Sequence, residues 1–123
     1  MERLVSACWL LLAAVHVSPA AVLLAPNLTE RLYGVSPSGS VGLLIIHRGA
    51  LFLAVVLACA YAAMVPEGRR TATIVAGVSM LAFLVLYASS GFPAGPLRTV
   101  ALVDALGLLP LAIVIWNAWV RPS

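Results

Sequence analysis

His16, His47, Arg48, Tyr87, Ser90, Arg98 and Asp104 can move a proton or hold a charge, and each lies in or beside a long apolar run. The stretch "IIHRGALF", residues 45–52, sets a histidine and an arginine side by side where the neighbours are otherwise suited to lipid. Histidine titrates near neutral pH, a carboxylate can orient it or hold charge, and a guanidinium binds an anion or a carbonyl. His47, Asp104 and His16 are therefore the candidate catalytic residues. Arg48, Tyr87, Ser90, Tyr33 and Arg98 are the candidate ligand-binding ones. The two cysteines, Cys8 and Cys59, form no CxxC pair and have no histidine at zinc-ligand spacing, so they read as small apolar packers and no metal site is expected.

The composition decides what must position these groups. Hydrophobic residues make up 63% of the 123-residue chain and charged residues 9%, with a mean hydropathy of +1.12. A soluble domain carries roughly 25% charged residues, so this chain cannot cover a water-facing surface and belongs in a bilayer. The net charge of +3 is small, scattered and carried by Arg alone, which excludes a nucleic-acid partner.

A helical span takes about 20 residues, and four nearly exhaust the length. The pattern predicts an all-α fold: one transmembrane domain over residues 1–123, a four-helix bundle with spans at about 4–25, 41–65, 71–92 and 98–119. The Pro/Gly-rich stretches "PNLTERLYGVSPSGS", "PEGRR" and "PAGPL" separate them. Arg3, Arg69, Arg70 and Arg121 share one side, with Arg31 and Arg98 on the other. That bias places both termini in the cytoplasm of a bacterial inner membrane, with Trp116 and Trp119 at the cytoplasmic interface. A competing reading cleaves residues 1–20 as a signal peptide after "SPA". The apolar run continues through "AVLLA", which favours a span. "VSAC" leaves too few residues before Cys8 for a lipoprotein signal.

Within the first loop, "NLTERLYG" predicts a short interfacial helix, with Asn27 as N-cap, Glu30 three residues on and Gly34 as the stop. The sequon at Asn27 is read as chance. On span two, Ala50, Ala54, Ala58 and Ala62 form a small-residue row, a candidate face for a neighbouring helix or a second copy of the chain.

Depth brings the polar residues together. At 1.5 Å per residue, His47, Arg48 and Asp104 lie roughly 9 to 10 Å below the outer face, and His16 about 13 Å. Tyr87, Ser89 and Ser90 lie within roughly 3 to 8 Å of it. All four spans thus deliver polar side chains to one outer-leaflet layer, and the cytoplasmic half offers little beyond Ser6, Thr71, Thr73, Ser79 and Asn117. Arg48 and Asp104, matched in depth and opposite in charge, are expected to form an ion pair. Pro19 and Pro110 free the carbonyls of Val15 and Leu106 near His16 and Asp104.

At these residues the chain resembles a family of small bacterial four-span membrane proteins of unknown function. The likeness rests on "HVSP" in span one, "RLYGV" in the loop, "HRGALF" in span two and the single Asp of "RTVALVDAL". It implies an architecture and the positions His16, Tyr33, Gly34, His47, Arg48 and Asp104, and no activity. Some members carry the automatic label phosphopantetheine adenylyltransferase. Such enzymes use an HxGH-type motif on a soluble doubly wound fold, whereas "HRGA" has Ala50 in place of the second histidine and no strand or phosphate loop precedes it.

The leading expectation is a pocket in the outer leaflet that binds a small amphipathic or lipid-like molecule, with His/Asp proton chemistry open to it. An accessory subunit held together by the polar layer is the second reading. A haem protein with His16 and His47 as axial ligands is the third. A proton-coupled exporter is disfavoured because its acidic residue would be expected in the first span, not the last.

Overall fold

The computed structural model describes residues 1–121, and among these it is helical throughout, with no strand. Helix α1 is Glu2–Ala21, α2 Leu28–Tyr33, α3 Gly39–Met64, α4 Arg69–Ser89 and α5 Pro96–Trp119, with a 3₁₀ turn at Pro66–Gly68 before α4. The four long helices are each long and apolar enough to cross a membrane. The chain is an all-α bundle of four membrane helices with one short helix between the first two.

The boundaries follow backbone chemistry. α3 ends where Val65, the residue before Pro66, becomes extended. α1 stops at Ala21, four residues short of the expected span end, after Pro19 removes a backbone donor from its last turn. Beyond it Leu23 and Leu24 donate to Ala20 and Ala21, a tightened i→i+3 turn that closes the helix. α4 ends at Ser89 and not at residue 92, because Gly91 and Phe92 both take positive φ, 84° and 53°, and swing the chain away.

α2 falls where expected and stops at Gly34, whose φ of 69° suits glycine. Asn27 stands at the N-cap position, but its side chain makes no cap bond. The preceding turn is already helical, with Leu28 and Thr29 donating to Ala25 and Pro26, so those N–H groups have no need of it.

Packing is uneven along the bundle. The buried apolar cluster, with Val5, Trp9, Leu12, Cys59, Met80 and Val114 at its centre, fills the half nearer the two termini. Polar ties close that same end. Arg69, buried at 3% exposure, donates to both oxygens of Glu2 at 2.5 and 3.2 Å and to the Ala62 carbonyl at 2.8 Å, joining α1, α3 and α4. The Ser6 hydroxyl donates to Ala63, Arg70 donates to Ala118, and Trp119 Nε1 donates to Thr73. The polar residues of this half that make these bonds, Ser6, Arg69, Arg70 and Thr73, lock helix to helix.

α1 makes its broadest contact with α3, and among the adjacent long helices α3 and α4 meet most sparsely. The close approach on α3 is made by Gly49, where a Cβ would lie 3.0 Å from the Leu23 nitrogen and 3.3 Å from the Pro19 carbonyl. In the alanine row only Ala62 is buried; Ala50 and Ala58 are half-buried and Ala54 is exposed. That row is not the intramolecular seam. The buried face of α3 is Gly42, Gly49, Val55, Cys59, Ala62 and Ala63, which shares only Ala62 with the row.

Candidate functional site

The sparse α3–α4 contact leaves a cleft of about 790 Å³, in the range of small-molecule sites. On α4 its lining runs from Ile74 to Ser90, a length of about 24 Å at 1.5 Å per residue. Leu51, Val55, Val78 and Ala82 make its wall apolar, and Ile74, Val78 and Leu86 at its edge are largely exposed, so it opens sideways toward lipid. Arg48, Tyr87 and Ser90 gather at the end nearer α2.

Arg48 is half-buried there. Its guanidinium carbon lies 4.7 Å from the centre of the Phe52 ring, 5.4 Å from that of Tyr33 and 5.8 Å from that of Phe83, which brings together rings from α3, α2 and α4. Phe52 is one turn along the same helix, and Phe83 faces it across the cleft. A cation over an aromatic face gains about 0.5 to 1 kcal/mol, more when desolvated. Three such contacts are of the same order as the roughly 2.5 to 3.5 kcal/mol that a lone Arg costs at the centre of a span.

The expected Arg48–Asp104 ion pair is not formed: among the described residues the one pair within 4.0 Å is Arg69–Glu2. Tyr33 of α2 is buried and within electrostatic reach of both charges. Burial pushes its phenol above the ordinary tyrosine range, Arg48 pulls it down and Asp104 pushes it up. Asp104 instead lines a second cavity of about 240 Å³ between α1, α2 and α5, with Ser18, Arg31 and Thr99. The rotation that turns Asp104 toward α1 was not legible in the sequence.

His16 is sealed in the interior at 2% exposure. Its Nδ1 donates to the Leu12 carbonyl at 2.8 Å, so in the neutral ring Nε2 accepts from the Ser79 hydroxyl at 3.2 Å. Phe52 covers it, with ring centres 5.8 Å apart. His47 is on the exposed face of α3. His16, His47 and Asp104 thus stand in three different surroundings, and the geometry offers them no shared proton path. For the haem reading, Nε2 of His16 is the nitrogen left for iron, and it is already engaged inside the packed bundle. Among the described residues no three His, Cys, Asp or Glu side chains converge as a metal ion would need.

Tyr87 donates its hydroxyl to the Pro93 carbonyl at 2.6 Å, stacks on Phe83 and meets Phe92 edge-on, which fixes the α4–α5 loop as the rim of the cleft. Ser90 donates to Leu86 within its own helix. Arg98 is exposed and borders a separate hollow between α4 and α5, with Tyr87 and Phe92. Sequence reasoning missed Phe52 and Phe83. For Phe52 the signal was present, since it follows Arg48 at the i+4 spacing that places two side chains on one helix face; for Phe83, on another helix, spacing gives none.

Compared with known proteins, the chain matches no family model, no curated protein and no solved structure.

Proposed function

We propose that this protein binds an amphipathic, lipid-like molecule that enters the α3–α4 cleft sideways from the bilayer. The observation that carries the reading is the cleft itself: a long apolar channel, open toward lipid, ending at a half-buried cation. The uneven packing supports it, because a bundle locked at one end and open at the other holds a binding space without losing its fold. The Arg distribution supports a bacterial inner-membrane location with both termini in the cytoplasm, which puts the polar end of the cleft in the outer leaflet. Membership of the small four-span group is part of the same proposal. Proton chemistry on the ligand is not, since the two histidines and Asp104 do not meet at the cleft.

Mass spectrometry of molecules extracted from purified protein tests the reading. Wild type is expected to retain a discrete amphipathic species, and Val78→Trp, which fills the cleft from a largely exposed wall position, is expected to fold and lose it. A wild type that retains only bulk lipid, in the same proportions as the variant, returns the protein to the accessory-subunit reading.

A further inference from the structure

A guanidinium carries five N–H donors and no acceptor. Among the described residues Arg48 makes no hydrogen bond and no ion pair. The rings of Tyr33, Phe52 and Phe83 balance its charge through their faces, but a π-face leaves the in-plane N–H fork unfilled. Tyr87 and Ser90, its polar neighbours on the cleft, already donate their hydroxyl protons to backbone carbonyls, so each brings only an oxygen lone pair. Asp104, the one carboxylate of the spans' interior, lines another cavity. The cleft therefore presents a single positive charge with its donors unmatched, at one end of an apolar channel.

From this arrangement we infer that the ligand is an acyl or alkyl chain ending in an oxyanion, a carboxylate or a phosphate ester, gripped by the Arg48 fork while the chain lies along α4 toward Ile74. A planar or tetrahedral oxyanion accepts two parallel N–H bonds from guanidinium, the geometry that an alcohol or a quaternary ammonium cannot supply. The inference rests on the cleft being a binding site and adds the chemistry of its headgroup. The lone cation favours one oxyanion per site.

The test holds the chain constant and changes the head. Hexadecanoate, hexadecyl phosphate, hexadecanol and hexadecyltrimethylammonium are each titrated into the protein in phosphatidylcholine nanodiscs, and binding is read by native mass spectrometry. At least one anion is expected to bind roughly tenfold or more tighter than hexadecanol, the advantage of charge-assisted hydrogen bonds, with the ammonium weakest. The preferred anion tells a carboxylate from a phosphate source. Arg48→Gln is expected to bring the anions down to the level of hexadecanol, and Arg48→Lys, which keeps the charge without the fork, to fall between. Equal binding of all four probes by wild type overturns the oxyanion inference and leaves the cleft reading standing. Binding of none, with Val78→Trp indistinguishable from wild type, overturns both. Should Arg48→Gln fail to fold, the ranking of the four heads on wild type still decides.

Discussion

The guanidinium of Arg48 is held over the ring of Phe52, 4.7 Å from its centre, one helical turn away on α3. An arginine in an apolar helix is usually expected to find a carboxylate; here it finds aromatic faces, with Tyr33 and Phe83 completing the surround. A coupling energy follows. Phe52→Leu should destabilise the wild type more than it destabilises Arg48→Met, by about 0.5 to 1.5 kcal/mol, in a double-mutant cycle read by unfolding in detergent or bicelles. Equal costs in the two backgrounds would mean that the ring packs without holding the charge.

The ion pair that forms and the expected one that does not should separate cleanly by the same method. Glu2 and Arg69 touch, and Arg69 is buried with a third bond to Ala62. Arg69→Gln should cost about 2 to 4 kcal/mol, with clear coupling to Glu2→Gln that the half-exposure of Glu2 moderates. Arg48→Gln and Asp104→Asn, which do not touch, should couple by about 1 kcal/mol or less. Strong coupling in the second cycle would restore the ion pair that depth alone suggests.

How far the sequence reaches can be seen at these positions. Hydropathy and proline placement give four spans, and Gly34 correctly ends the interfacial helix, because element length and backbone conformation are local properties. Rotation is not. Whether residue 104 turns toward α3 or toward α1 depends on how α1, α2 and α5 seat together, and it decided that Arg48 and Asp104 line different cavities. Rotation also separates the two histidines that the haem reading needs to converge: His47 turns outward and His16 is sealed in.

The alanine row and the glycine seam differ in what they tolerate. Gly49→Ala places a Cβ against two backbone atoms that cannot swing aside, the Pro19 carbonyl of α1 and the Leu23 nitrogen in the turn that follows it. It should cost about 1 to 3 kcal/mol. Ala54→Leu, on the exposed member of the row, should leave the fold within about 0.5 kcal/mol of wild type. A change in oligomeric state with Ala54→Leu, seen by native mass spectrometry, would assign the row to contact between copies of the chain.

The histidines should part company in the same way. His16→Phe removes the acceptor of Ser79 and the donor to Leu12, and should destabilise the bundle by about 1 to 3 kcal/mol. His47→Phe should be neutral within about 0.5 kcal/mol. A stable His16→Phe protein that loses its bound molecule would place His16 in the binding machinery and not in the core.

A cleft that holds a particular molecule and one that holds passing lipid differ in what can be cross-linked inside them. The direct measurement introduces a small diazirine amino acid by itself at Leu86, on the cleft edge, or at Leu109, exposed elsewhere on the bundle. Intact-mass analysis follows illumination of cells expressing each protein. One dominant adduct mass is expected at Leu86, abolished by Val78→Trp, against a broad spread of bulk-lipid adducts at Leu109. The same spread at both positions, unchanged by filling the cleft, would mean that the cleft holds only passing lipid.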